Sequence, residues 1–232
     1  MKYIILFALS LVSALTVAQQ PFTTNQRIFD TIPFIPDHTT ERIALFEKEP
    51  VVTGKIIFLG NSITEGGNWA KLTGDNSIIN RGIGGDITYG ILKRLNDVIK
   101  RKPSKLFILI GINDIGKDIP DEAIANNYVK IIKRVQAGSP DTKIYVQSIL
   151  PLNPAIPNFP QHYDKQDHVV HTNQLLREVV KLTNTQFINL FPLFLDDQQY
   201  LDKKYTFDGL HLNAQGYEVW VKYLKETGTL EK

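Results

Sequence analysis

From Val51 onward, short apolar runs alternate with segments whose apolar residues recur every three or four positions. The strand-like runs are Lys55–Leu59, Ser77–Asn80, Leu106–Ile110, Lys143–Gln147 and Gln186–Asn189. Runs that are apolar at successive positions fit strands covered by helices on both faces, as in a parallel sheet. Between them, Ile91, Leu95 and Val98 trace one helical face, and Ile124, Tyr128, Ile131 and Val135 a second. Val169, Thr172, Leu176 and Val179 trace a third, and Tyr217, Trp220, Val221 and Leu224 a fourth. Pro120, followed by Asp121 and Glu122, predicts the start of the second helix, and Gly138-Ser139-Pro140 its stop. The alternation implies right-handed βαβ units, hence an α/β fold: a three-layer α/β/α sandwich around a five-stranded parallel sheet. Leu150–Asp164 carries four prolines (Pro151, Pro154, Pro157, Pro160) and predicts an irregular loop after the fourth strand.

Upstream of this domain (51–232) the pattern differs. Lys2 precedes an apolar run at Ile4–Leu15, and Thr16-Val17-Ala18 offers small residues for cleavage, so residues 1–18 read as a signal peptide. The apolar stretch is short for a full membrane span. The expectation is therefore export to a periplasmic or extracellular location, with no stable membrane anchor. Residues 19–50 read as an N-terminal extension, rich in Thr and Pro up to Thr40, with a short helix at Glu41–Glu47 whose apolar side is Ile43, Leu45 and Phe46.

The 232 residues are 43% hydrophobic and 22% charged, which suits one ordinary globular domain. A net charge of +2 on scattered lysines and arginines gives no footprint for nucleic acid. The run Lys100-Arg101-Lys102 reads as a solvated helix end. The sequence contains no cysteine, which excludes disulfides, thiolate zinc sites, a cysteine nucleophile and a lipidated N-terminal cysteine.

Three phrases supply candidate chemistry at strand or helix boundaries: Gly60-Asn61-Ser62-Ile63-Thr64, Gly111-Ile112-Asn113-Asp114 and Asp208-Gly209-Leu210-His211. A fourth, Arg81-Gly82-Ile83-Gly84-Gly85-Asp86, offers backbone that a ligand can approach closely. Each has a bland reading. Serine between a strand and a helix is commonly an N-cap, and Gly111 and Asn113 suit a turn. In a parallel sheet, however, ligands bind beyond the carboxyl ends of the strands, and Ser62, Gly85, Asn113 and the Pro151 loop all fall on that edge. A serine, an amide, a carboxylate and an imidazole are the parts of serine-based acyl transfer. His168 and His171, with Asp164 and Asp167 nearby, form no complete ligand set, so no metal and no cofactor is assigned. His162 and Tyr163 read as surface-loop residues that could rim a pocket, and His38 is unassigned.

The Gly-x-Ser-x-Gly elbow of α/β-hydrolases is absent. Instead, Gly60-Asn61-Ser62-Ile63, Gly84-Gly85-Asp86, Gly111-Ile112-Asn113-Asp114 and Asp208-Gly209-Leu210-His211 resemble, in order, the conserved blocks of the GDSL esterases in their SGNH hydrolase subdivision. The resemblance spans Lys55 to about Leu224 and implies a flavodoxin-like fold. The segments Asn80–Thr88 and Leu212–Tyr217 look most like the platelet-activating-factor acetylhydrolase branch and its secreted bacterial relatives. The resemblance implies a Ser62, Asp208, His211 triad and an oxyanion hole made by the Ser62 N–H, the Gly85 N–H and the Asn113 amide. It also implies short acyl, chiefly acetyl, esters as substrates. The acceptor is a small-molecule ester or acetylated carbohydrate, with an acetyl- or lysophospholipid as the alternative, and the relatives allow a homodimer. A non-catalytic glycan-binding protein of the same fold is the competing class. Two departures stand out: Asn61 occupies the position of the family's aspartate, and Ile112 that of a frequent second glycine.

Overall fold

The computed structural model describes residues 21–22, 37–156 and 158–231; the signal-peptide reading and residues 19–20 and 23–36 of the extension lie outside these. Five strands, β1 (Ile56–Gly60), β2 (Ile79–Gly82), β3 (Lys105–Leu109), β4 (Lys143–Gln147) and β5 (Gln186–Ile188), form one sheet in the order β2-β1-β3-β4-β5. Every neighbouring pair is parallel. The predicted α/β architecture is therefore the observed one.

Among the described residues, eight α-helices accompany the strands: α1 (Asp37–Lys48), α2 (Ser62–Glu65), α3 (Trp69–Thr73), α4 (Thr88–Lys100), α5 (Ile112–Ile115), α6 (Asp121–Gly138), α7 (Gln166–Thr183) and α8 (Ala214–Glu226). The crossover carrying α3 runs leftward from β1 to β2, whereas those carrying α4, α6 and α7 run rightward. Right-handed crossovers therefore place α3 on one face and the other three on the opposite face. Helix α8 packs with α3.

The register explains one face of the core. Phe58, Phe107 and Tyr145 are direct neighbours across β1, β3 and β4, and their rings stack in a row with centroids 4.8 Å apart. Trp69 of α3 stacks on Phe58 at 3.9 Å, and Trp220 of α8 meets both rings edge-on. On the other face, the helical positions read from periodicity, among them Ile91, Leu95, Ile124, Ile131, Val169 and Leu176, are all fully buried.

Four details differ from the sequence reading. Strand β2 begins at Ile79 instead of Ser77, because the Asp75 carboxylate accepts the Ser77 N–H at 2.8 Å and turns the chain there. Helix α1 starts at Asp37, four residues early, and Leu45 on its expected apolar side is exposed while Phe46 is buried. Arg101 is not a solvated helix end. It is buried, donates to the Pro50 carbonyl at 2.7 Å and pairs with Asp97, so it ties α4 to the end of α1. Arg81, also buried, adds ion pairs to Glu49 and Asp97 and lies 4.3 Å over the Phe46 ring. Finally, His162 is buried, in a short 3₁₀ turn at Pro160–His162 within the proline-rich loop.

Candidate active site

The strand order reverses between β1 and β3, and the crevice beyond such a reversal is where ligands bind in open α/β sheets. Ser62 follows β1 and Asn113 follows β3, so they flank that crevice from opposite sides.

Ser62 is not the N-cap of α2. Asn61, fully buried, takes that role, its Oδ1 accepting the Ile63 N–H at 3.0 Å. Ser62 thereby becomes the first helical residue, with its side chain free of capping. The Asn61 side chain thus caps the helix and makes no bond to the imidazole of His211. Tyr217 of α8 donates to the Ile63 carbonyl at 2.7 Å and holds the helix from the other side.

His211 reaches this serine across 149 residues of sequence: its Nε2 lies 2.8 Å from Ser62 Oγ. Its Nδ1 lies 2.6 Å from Asp208 Oδ2. Because the carboxylate only accepts, Nδ1 carries the proton and Nε2 presents a lone pair to the serine hydroxyl. Asp208 Oδ1 accepts the backbone N–H groups of His211 and Leu210 at 2.7 and 3.0 Å. Burial raises the Asp208 carboxyl, but these bonds, His211's first, outweigh it and leave the group below the ordinary carboxylate range. Thr206 completes the loop by accepting the N–H groups of Asp208 and Gly209 and donating to the His211 carbonyl at 2.6 Å.

The candidate anion pocket is built from three pieces. Ile83 to Asp86 form a turn closed by the Asp86 N–H on the Ile83 carbonyl at 3.1 Å, with Gly85 at φ +75°, which glycine adopts without steric cost. Among the described residues, the N–H groups of Ser62 and Gly85 have no acceptor. Asn113 donates one amide N–H to the Asp86 carbonyl at 2.9 Å, which fixes the amide plane and leaves its second N–H free. Three uncommitted donors of this kind suit an oxygen on which negative charge develops.

Sequence reasoning missed the aromatic frame of this site. Phe159, from the proline-rich loop, meets the His211 ring edge-on at 5.3 Å. Phe207 lies nearly parallel to the imidazole, 13° off, at 6.1 Å, and is 66% exposed. No sequence signal singles this ring out, since single exposed apolar residues are ordinary. His162 packs behind Phe159 and against Gly116, out of solvent, and burial holds its imidazole below the usual range. His168 and His171 stand apart from the site. Both face Asp121 of α6, at 3.2 and 2.8 Å, and not Asp164 or Asp167.

Comparison with known proteins agrees with the blocks. The GDSL-like Lipase/Acylhydrolase family profile matches residues 58–219. Rat platelet-activating factor acetylhydrolase IB subunit alpha2 is 28% identical over 187 residues, covering 78% of this chain and 76% of its own. A solved Streptococcus pneumoniae structure, provisionally assigned as a platelet activating factor, is 34% identical and superposes with a TM-score of 0.71, covering 81% of this chain and 89% of that one. An acetyl xylan esterase shares the fold at 22% identity and a TM-score of 0.63, covering 75% and 98% of the two chains. The chain belongs to the GDSL-like lipase/acylhydrolase family and is a carboxylic ester hydrolase.

Proposed function

We propose that the protein is an exported serine esterase that removes short acyl groups, chiefly acetyl, from a carbohydrate acceptor. The observation that carries the chemistry is the continuous hydrogen-bond chain from Ser62 Oγ through His211 to Asp208. In this mechanism His211 Nε2 takes the Ser62 hydroxyl proton as Oγ bonds to the ester carbonyl carbon. The carbonyl oxygen becomes an oxyanion facing the N–H groups of Ser62 and Gly85 and the free N–H of Asn113. Collapse of the tetrahedral intermediate breaks the carbon–oxygen bond to the alcohol, which takes the proton from Nε2. Water, deprotonated in turn by His211, then attacks the acyl-serine, and Nε2 returns the proton to Ser62 as the carboxylic acid leaves. Asp208 holds the tautomer and offsets the imidazolium charge in both halves.

The acceptor reading rests on what flanks His211. The departing alcohol takes its proton from Nε2, so the acceptor lies beside that ring, where Phe207 presents an exposed face. Beyond it, a groove of about 950 Å³ runs between α3 and α8, its rim carrying Asn68, Lys71, Asn213, Lys222 and Lys225. A flat ring beside hydrogen-bonding side chains suits a sugar, which has apolar faces and hydroxyl edges. The acetyl xylan esterase sharing this fold is consistent with that choice. The 28% identical mammalian relatives, named for platelet-activating factor, favour a second reading, an acetyl ester on a phospholipid. Export is supported by Lys2, the apolar Ile4–Leu15 and Thr16-Val17-Ala18.

The test is direct. Purified protein should release nitrophenol from 4-nitrophenyl acetate with an initial burst, and Ser62→Ala should abolish it. Acetylated xylo-oligosaccharides should be turned over with higher kcat/KM than an acetylated ether phospholipid, and the reverse order would assign the second reading. A secreted form beginning near Gln19, identified by mass spectrometry, would establish export; retention of residues 1–18 in the cell would refute it.

A further inference from the structure

The anion pocket depends on a peptide that its own sequence leaves free to rotate. Gly85 occupies the third position of the Ile83–Asp86 turn with positive φ, and Gly84 precedes it. Two successive glycines place no side chain in the way of a flip of the peptide between them, and that peptide carries the Gly85 N–H. Something outside the turn has to hold it.

Three side chains do so through the peptides that flank it, each from a different helix. Asn113 of α5 takes the Asp86 carbonyl at the far end. Glu65, the last residue of α2, accepts the Gly84 N–H on Oε2 at 2.6 Å. Arg42 of α1 donates from Nη2 to the Gly82 carbonyl at 3.2 Å. The two glycine anchors are joined: Glu65 Oε1 lies 3.2 Å from Arg42 Nε in an ion pair and 2.9 Å from Nε2 of His38, also on α1. The fit is close. A Cβ on Gly84 would stand 3.4 Å from both Glu65 Oε2 and the His38 ring, and one on Gly82 would collide with the backbone of Glu65. A carboxylate three residues after Ser62 is thus clamped by α1 on one side and grips the pocket turn on the other.

We propose that Glu65 is a positioning residue, set by His38 and Arg42, that fixes the Ile83–Gly84 peptide and thereby places the turn so that the Gly85 N–H meets the developing oxyanion. Helix α1, which precedes the first strand and supplies none of the reacting groups, is thereby part of the working site. The proposal rests on the esterase reading above. It does not involve Glu65 in proton transfer, because its oxygens are committed to Gly84, His38 and Arg42.

The test uses the full chain, 4-nitrophenyl acetate as substrate and an aryl trifluoromethyl ketone as inhibitor. The ketone adds Ser62 to form a hemiketal oxyanion in the same pocket. Glu65→Ala should lower kcat by about 10- to 100-fold, the range expected when a donor is displaced instead of deleted, with KM within about threefold. Ketone affinity should fall by the same factor as kcat, which a general loosening of the fold would not produce. The double variant H38A/R42A keeps Glu65 but frees it, and should lose about three- to tenfold in kcat. Adding it to Glu65→Ala should cost well under the product of the two separate losses, because both act mainly through the Glu65–Gly84 contact and only the Arg42 bond to the Gly82 carbonyl is independent of it.

Wild-type kcat in Glu65→Ala, or losses that multiply fully in the triple variant, would overturn the proposal. Should Glu65→Ala not fold, H38A/R42A decides alone, and kcat and ketone affinity both within twofold of wild type refute it. Absence of turnover and of ketone binding in the wild type itself would instead remove the esterase reading.

Discussion

Asn113 Nδ2 donates to the backbone carbonyl of Asp86 at 2.9 Å, so the amide in the candidate anion pocket is held by the same loop that supplies Gly85. One N–H of the amide is structural and the other is available to the substrate. Asn113→Ala should therefore remove an oxyanion donor and a loop anchor together. The expected loss in kcat is at least the 10²–10³-fold typical of one such donor, on the order of 3–4 kcal/mol, with KM nearly unchanged. Steady-state kinetics on an aryl acetate measure it, and an unchanged kcat would take Asn113 out of the site.

Asp208 sets the tautomer of His211, and the amide replacement reverses it. In Asp208→Asn the Oδ1 position can still accept the N–H groups of Leu210 and His211, so the loop should survive. The side-chain NH₂ would then face Nδ1, which could only accept, and Nε2 would carry the proton toward Ser62. A hydroxyl facing an N–H cannot be deprotonated by it. A kcat loss of about 10⁴-fold is expected, the size seen when a serine triad is trapped in the wrong tautomer. There is a stability signature as well. The His211 and backbone hydrogen bonds hold the Asp208 carboxyl below its ordinary range, against the effect of burial. Its stabilising contribution is thus present at neutral pH and lost as pH falls through that depressed value. Melting curves between pH 2 and 5 should show a shallower acid-side loss in Asp208→Asn than in the wild type.

Asp114 should act in the opposite sense. It is buried beside Asn113 and accepts the Thr88 N–H at 3.0 Å and the Thr88 hydroxyl at 2.5 Å, at the first turn of α4. Burial pushes its carboxyl up to about 7, more than the Thr88 bonds pull it down. The folded protein therefore holds this proton more tightly than the unfolded chain. The associated stability is fully present below the usual carboxylate range and is lost as pH rises through about 7. Integrated over the shift, the loss is at most about 4 kcal/mol. Wild-type Tm should fall between pH 5 and pH 9, and Asp114→Asn, which cannot ionise, should flatten that slope. Parallel slopes in the two proteins would show that another group titrates.

The sheet and the four long helices between and after its strands were legible because both faces of the sheet are covered. Burial on two faces writes itself as continuous apolar runs such as Leu106–Ile110, and burial on one helical face as the spacing of Ile124, Tyr128, Ile131 and Val135. The helices α2, α3 and α5 span four or five residues, too short for a periodicity to register, and their ends are set by Asn61 and Asn68 caps and by glycines. The four chemical blocks were legible because each adjoins a strand end or a helix start. Glu65 and Phe159 were not, because their partners lie in distant segments: Glu65 contacts α1 and the β2 loop, and Phe159 meets His211 across the fold. Phe207 stands only four residues before His211, but the loop that turns its ring alongside the imidazole leaves no periodicity to read. Arg101 was misread for the same reason as Glu65. A basic triplet at a helix end looks solvated until the carbonyls of Phe46 and Pro50 are brought to it.

Phe207 offers the means to separate chemistry from acceptor recognition. Its ring lies alongside the imidazole of His211 but makes no hydrogen bond in the chain from Asp208 to Ser62, and most of its surface is open to solvent. Phe207→Ala removes the platform and leaves the backbone of the Thr206–His211 loop, which is held by the Thr206 hydroxyl and not by the ring. On 4-nitrophenyl acetate, whose leaving group is small, kcat should stay within about threefold of wild type, since the interaction removed is not made to the reacting atoms. On an acetylated oligosaccharide, KM should rise about tenfold or more, as expected for the loss of roughly 1–2 kcal/mol of contact between one sugar face and an aromatic ring. The ratio of the two kcat/KM values is the diagnostic. A proportional fall on both substrates would mean that the ring supports His211 instead, and the acceptor would then have to be sought on the Phe159 side of the imidazole.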